Sequence, residues 1–159
     1  MVKEIPLTQG KIALVDDADF DELNQFKWFA SRNKKNWYAL RSTKINGKSV
    51  QIRMHDVLLN PPEGKLPDHK DGNGLNNQRD NLRICTFAEN NHNTRTQCRV
   101  KTSKFKGVSW RKDHLSWCAV LGVNCKNLFL GYFQVEIDAA KAYDAAARFH
   151  FGEFARTNF

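Results

Sequence analysis

Four side chains within one short stretch have the types and spacing for hydrolytic chemistry: Asp68 and His69 side by side, then Asn81, then Asn90, in the run DHKDGNGLNNQRDNLRICTFAENNHN at 68–93. Asp68 offers a hard carboxylate oxygen for Mg²⁺ or another divalent cation such as Mn²⁺, and the side-chain carbonyl of Asn90 offers a second oxygen. Two protein ligands leave positions for a phosphate and for water, which is what metal-assisted cleavage of a phosphodiester requires. His69 is the natural base for that water, because an unperturbed imidazole titrates near about 6.5 and is largely neutral at working pH. Asn81 can orient the His69 ring or pin the loop through its amide. The plainer alternative is a turn acid beside a hydrogen-bonded surface histidine, with Asn73, Asn76 and Asn77 acting only as turn formers.

Those residues need elements that aim them. In a regular strand Asp68 and His69 point to opposite faces, so a bend must follow, and Gly72-Asn73-Gly74 can supply it. Thr86-Phe87-Ala88-Glu89 has the form of a capping box, which predicts a helix with Asn90 in its first turn. The amino-terminal end of such a helix also favours a nearby phosphate. Lys70, Arg79 and Arg83 can hold phosphates; solvated charge is the ordinary alternative for each.

Around this stretch the chain reads as small modules. Residues 1–53 contain short strand-like runs and an Asn46-Gly47 pair between two arms, the sequence form of a tight hairpin. The acidic run Asp16-Asp17-Ala18-Asp19-Phe20-Asp21-Glu22 suggests a solvated turn in which Asp19 caps a helix and Glu22 reaches back. Residues 54–59 suggest a short helix stopped at Asn60-Pro61-Pro62. After residue 93 a polar connector with Arg95, Arg99 and Lys101 suits an extended linker along phosphates, or a plain solvated one. From 104 onward strand candidates at 107–111, 117–123 and 128–133 precede a helix over 135–150, whose alanines at three- and four-residue spacing let it lie close to a sheet. The expected domains are 1–53, 54–93, a linker over 94–102, and 103–159.

With 159 residues, a net charge of +8 and basic residues interleaved with Trp and Phe, a nucleic-acid partner is favoured. No apolar run reaches the roughly 20 residues that span a bilayer, and Lys3, Glu4 and Pro6 interrupt any leader, which predicts a soluble, intracellular protein that is not secreted. The four cysteines form no C-x-x-C pair, so reduced, mostly buried thiols are expected.

The pattern Asp68-His69-x-Asp71-Gly72-Asn73, Asn77, Asn81-Leu82-Arg83, Thr86-x-x-Glu89-Asn90 and Asn93 resembles the HNH homing endonucleases of phages and introns. The resemblance implies an α+β chain with a ββα-metal nuclease module, Asp68 and Asn90 as metal ligands, His69 as general base and Asn81 as the structural asparagine. His55, in Met54-His55-x-x-Leu58, matches a recurrent upstream histidine of that family. Residues 103–159, through Lys106-Gly107-Val108-x-Trp110, Trp117-x-Ala119, Leu130-Gly131-Tyr132-Phe133 and Ala139-Ala140-x-Ala142-Tyr143-Asp144-x-Ala146-Ala147, resemble the Apetala/ethylene-response-factor DNA-binding domain. That likeness implies a three-stranded antiparallel sheet packed on one helix and laid into a major groove. Lys106, Gly107, Ser109, Arg111, Gly122, Asn127 and Phe129 would then face DNA. The plant pattern has arginines where this chain has Ser109, Gly122 and Asn127, so base preference does not transfer. Trp110 and Trp117 can stack on the nucleic acid or belong to the core. Pro6-Leu7-Thr8-x-Gly10, Val15-Asp16-Asp17 and Lys27-Trp28 are similar to the leader of many HNH proteins. The expected function is a site-selective endonuclease acting on double-stranded DNA as a monomer or weak dimer, in a bacterial or phage-infected cell. Arg83 and Arg95 are expected to add backbone contacts. The rival is a non-catalytic DNA-binding regulator that retains a nuclease-like fold.

Overall fold

The computed structural model describes residues 1–33, 36–92, 102–124 and 126–159, as two compact units, Met1–Phe87 and Ala88–Phe159. The connector at 94–102, with Arg95, Arg99 and Lys101, lies outside the described residues except for Thr102, as does Asn93.

In the first unit β1 (Val2–Pro6) pairs antiparallel with β2 (Ile12–Asp16), and α1 (Asp17–Leu23) follows directly. A three-stranded antiparallel sheet is then formed by β3 (Phe29–Asn33), β4 (Asn36–Ile45) and β5 (Lys48–Arg53), with β4 in the middle. Its second turn is the expected hairpin: Ile45 opposes Lys48, and Asn46 and Gly47 take φ of 51° and 77°, the paired left-handed values that match strand twist. Helix α2 (Met54–Leu59) ends on Asn60 at φ 41°, whose N–H returns to the Asp56 carbonyl, and the two prolines behind it prevent continuation. Strands β6 (Leu66–His69) and β7 (Leu82–Cys85) form an antiparallel pair; next in sequence comes α3 (Phe87–His92), which belongs to the second unit except for Phe87.

One core crosses the sequence position at which the amino-terminal segment was expected to end. Ile5, Ala13, Val15, Leu23, Trp28 and Ala39 pack with Met54, and Val57 and Leu58 of α2 lean on the same cluster. Trp28 adds a hydrogen bond from its indole nitrogen to the Leu23 carbonyl at 2.7 Å, so its polar edge is satisfied where its ring is buried.

In the second unit β8 (Val108–Arg111), β9 (Ser116–Val123) and β10 (Lys126–Phe133) form an antiparallel sheet with β9 central, and α4 (Glu136–Phe151) lies on one face. The contact is made by Val108 and Ala119 against Ala139 and Ala140, and by Leu121 against Tyr143 and Ala147; small residues on the helix bring the two layers close. Leu130 forms an irregularity between Phe129 and Gly131 and turns into the core. The closing segment is tied down by Asp144, which is buried and accepts hydrogen bonds from the backbone N–H groups of Asn158 and Phe159 and from the Asn158 amide. Cys85 and Cys118 are buried free thiols, as expected for them. No helix among the described residues is long and apolar enough to cross a membrane.

Candidate active site

His69 closes β6, and the chain turns at once, Gly72 at φ 72° donating its N–H to the His69 carbonyl at 2.9 Å. The bend expected at Gly72-Asn73-Gly74 is present. Asp71 is the hub of the loop it begins. Its carboxylate accepts from the Asn73 N–H, the Asn76 amide and the Asn81 amide at 2.7 to 3.0 Å. Burial alone would raise this carboxyl, yet those three donors and the nearby His69 hold it below the ordinary carboxylate range. Asn81 completes the knot, accepting from the Asp71 N–H and donating to the Asn76 carbonyl. Of the two roles open to Asn81, the geometry matches the loop pin.

The His69 ring is oriented by Asn77, which the sequence reading had treated as a turn former. Asn77 is fully buried, and its Oδ1 lies 3.3 Å from His69 Nε2. The Asn77 amide donates from Nδ2 to the Leu75 carbonyl, which fixes the amide with its oxygen toward the ring. His69 Nε2 must then carry the proton, and Nδ1 is the basic nitrogen. His69 is buried, which lowers its pKa; the Asn77 bond and the charges of Asp71 and Asp68 pull the other way without cancelling the shift. The His55 ring meets His69 edge-on at 5.0 Å, and Tyr38 borders both rings. Burial, then His69 and Arg53, push His55 down to about 3, so this pair is neutral at working pH.

Distant parts of the first unit hold the loop still. Leu14 of β2 donates its N–H to Leu75 and accepts from Asn77, a short parallel bridge at 2.8 and 2.7 Å. Asp17, Asp21 and Glu22 of the acidic run are exposed, but Asp16 and Asp19 are engaged, which corrects the expectation of a solvated turn for those two. Asp16 precedes α1 and accepts from the Arg79 N–H at 2.7 Å, while Asp19, buried inside α1, accepts both Nε and Nη2 of Arg79. Arg79 is therefore engaged with a carboxylate. Gly74 has no room for a side chain, since a Cβ there would collide with the Trp37 carbonyl and the Tyr38 ring. The amino-terminal segment thus serves as the cradle of the Asn73–Gln78 loop.

Asp68 faces Arg83 across the β6/β7 ladder, and Arg83 Nε and Nη2 donate to Asp68 Oδ2 at 3.0 and 2.8 Å. Both side chains are below a tenth exposed. Arg83, expected on phosphate, is thus paired with the candidate metal ligand. Among the described residues no three His, Cys, Asp or Glu side chains gather as a metal cage. The donor chemistry at Asp68 suits an ion that keeps water and phosphate oxygens as most of its ligands, as Mg²⁺ does. Asn90 lies on α3, within the second unit.

On the sheet of the second unit, register sorts the residues expected on DNA. Ser109, Arg111, Gly122, Asn127 and Phe129 alternate with the helix-packed Val108, Ala119 and Leu121, and so share the outer face. Phe129 and Tyr132 are largely exposed there, with the His114 ring stacked on Tyr132 at 4.1 Å. Trp110 and Trp117 oppose each other in register on the helix side, ring against ring at 5.1 Å, and Trp117 packs on the core, the second of the two roles open to it. Gly107 has a packing role of its own. At φ 75°, with the Tyr143 ring where a Cβ would be, it is an intimate packing point. Lys106 is partly buried, its backbone exchanging hydrogen bonds with Asn158, and burial and Arg156 lower its pKa to about 8.

Residues 60–92 match the family model described as HNH endonuclease. The chain is similar to Protein 3.8 of Escherichia phage T7, 45% identical over 56 residues, covering 35% of this chain and 46% of that protein, under half its length. It is also similar to an uncharacterized HNH endonuclease of Acanthamoeba polyphaga mimivirus, 28% identical over 155 residues, 94% of this chain and 76% of that one.

Proposed function

We propose that this chain is a metal-dependent DNA endonuclease in which His69 is the general base. The observation that carries the reading is the buried, neutral His69 whose Nε2 is held by Asn77, inside the segment that matches the HNH endonuclease model. A base that stays unprotonated and is locked in one tautomer is what proton abstraction from water needs. In this reading His69 Nδ1 takes a proton as water oxygen bonds to phosphorus, and the bond to the departing 3′ oxygen breaks. Asp68 and Asn90 would hold one divalent cation, Mg²⁺ or Mn²⁺, Asn90 entering by its place in the sequence pattern. The ion would supply positive charge to the phosphate and to the leaving oxygen. The module would be of ββα-metal type, with Asn81 as its structural asparagine.

The second unit would bind double-stranded DNA through the outer sheet face, in the manner its resemblance to the Apetala/ethylene-response-factor domain implies, using Ser109, Arg111, Asn127 and Phe129. Together the modules would form a site-selective enzyme of the homing type. One centre per chain would nick a single strand as a monomer, and a double-strand cut would need two chains.

The test is cleavage of supercoiled plasmid DNA. Relaxed circles are expected with Mg²⁺, none with chelator, and a loss on the order of a thousandfold for His69→Ala with DNA binding retained. Parental cleavage by His69→Ala would remove His69 from the mechanism. A second reading is favoured by one observation, the Arg83 guanidinium on Asp68: a DNA-binding regulator whose nuclease-like centre is closed to metal. Binding without metal-dependent nicking at any salt concentration would establish it.

A further inference from the structure

Arg83 and Asp68 form the most enclosed ion pair of the first unit, directly opposite each other in the ladder, with both described bonds converging on Asp68 Oδ2. The other carboxylate pairing nearby, Asp19 with Arg79, ties elements together across sixty residues and leaves Arg79 more than half exposed. The Asp68–Arg83 pair joins two strands already joined by their backbone. A carboxylate this buried needs a counter-charge, because an uncompensated buried charge costs several kcal/mol. A guanidinium and a divalent cation on the same oxygen repel, so one excludes the other. Phosphate offers Arg83 a second anion that its planar donors fit well.

We propose that Arg83 is a cation placeholder, holding Asp68 oriented until DNA arrives, then releasing Oδ2 and pairing with a backbone phosphate. The idea rests on the nuclease reading and deepens it, by making metal uptake and DNA binding reinforce each other. Free protein then binds metal weakly, DNA raises that affinity, and by linkage metal raises affinity for DNA by the same factor. Arg83 thus recovers the phosphate role suggested by sequence, but only in the loaded state.

The experiment measures Mn²⁺ binding to the full chain by electron paramagnetic resonance, in the His69→Ala background, with and without a short DNA duplex. Without DNA, Arg83→Met is expected to bind Mn²⁺ about tenfold tighter than its parent, a gain set by removing one competing charge. With duplex present the two should agree within about twofold, because DNA has already drawn Arg83 away. Arg83→Lys, which keeps the charge and loses the two-nitrogen grip, should fall between them; it decides the matter if Arg83→Met fails to fold. Equal or weaker Mn²⁺ binding by these variants, with Asp68→Asn still abolishing it, would make Arg83 a plain brace and overturn the proposal. Undiminished Mn²⁺ binding by Asp68→Asn would instead overturn the assignment of Asp68 as ligand, and the placeholder with it.

Discussion

The surroundings of His69 and the outer face of the β8–β10 sheet are built on opposite plans. Around His69 the polar groups interlock, from the buried centre to the exposed rim: Asn77 is held on the ring, Asp71 on Asn73, Asn76 and Asn81, and Arg79 on the buried Asp19. On the sheet, Asn127 and Phe129 stand in solvent, placed by strand register, with the Tyr132 ring edge-on to Phe129 at 5.0 Å. Proton transfer depends on tenths of an ångström and on a single tautomer, so it rewards a rigid network assembled from distant segments. Reading a groove needs accessible side chains that adapt to their partner. If this contrast is correct, changes near His69 should alter turnover and changes on the sheet should alter affinity.

Short of removing His69 itself, the largest effect is expected from Asn77→Ala. With Oδ1 gone, the bond from Asn77 that selects the Nε2-protonated form of His69 is lost, and kcat should fall on the order of 10²–10³-fold while KM for DNA changes little. Single-turnover cleavage beside a binding titration separates the two. Asn77→Asp sharpens the point, because a carboxylate there would favour the imidazolium. It should move the acid limb of the kcat profile upward relative to the parent.

That limb in the parent should lie below about 6.5, since burial lowers the His69 pKa and a base works in its neutral form. Stability follows the same sign. Folded-state values for His55 and His69 lie below the unfolded value, so as pH falls the unfolded chain takes up protons first. Stability from these two groups is complete above about 6.5 and declines below it, by about 1.4 kcal/mol per pH unit for each histidine until its folded pKa is reached. For His55 that decline runs toward pH 3. Urea unfolding at pH 7 and pH 5 tests this, and a midpoint that rises on acidification would contradict the burial of the pair.

Local chemistry made some of this visible in the sequence. Asn46-Gly47 announced its hairpin because both residues accept positive φ, and Asn60-Pro61-Pro62 announced the end of α2. Asp68 and His69 stood out because an acid beside an imidazole carries its own chemical meaning. Asn77 did not, since its role depends on a bond to His69 that only the folded loop creates. Asp16 and Asp19 looked solvated for a similar reason: their partner, Arg79, is about sixty residues away. Gly107 and Trp117 fit a DNA-binding pattern, yet that pattern also records packing against α4.

Loosening the loop from a distance should cost less than altering Asn77. Arg79→Met leaves the Asp19 carboxylate in place without its guanidinium, while the Asp16 bond to the backbone N–H of residue 79 survives. Because Arg79 is largely exposed, the ion pair itself contributes only about 1 kcal/mol. A cleavage loss of roughly tenfold is expected, from imprecise placement of His69 and not from weaker DNA binding. Were Arg79 a phosphate contact, affinity and its salt dependence would fall instead.

The smallest effects belong to the sheet, and they separate its two faces. Phe129→Ala and Asn127→Ala remove exposed side chains, so thermal midpoints should stay within a degree or two while affinity for duplex DNA weakens roughly three- to tenfold. Cleavage at saturating DNA should be unchanged. Trp117→Ala, one strand position away from the buried Cys118 and packed against the α4 cluster, should behave in the reverse sense, losing stability first and affinity only as a consequence. If Phe129→Ala lowers the melting temperature as much as Trp117→Ala does, Phe129 is part of a covered surface. The outer face would then lose its claim to read DNA, and the contrast between an interlocked network and an open face would fail on this side.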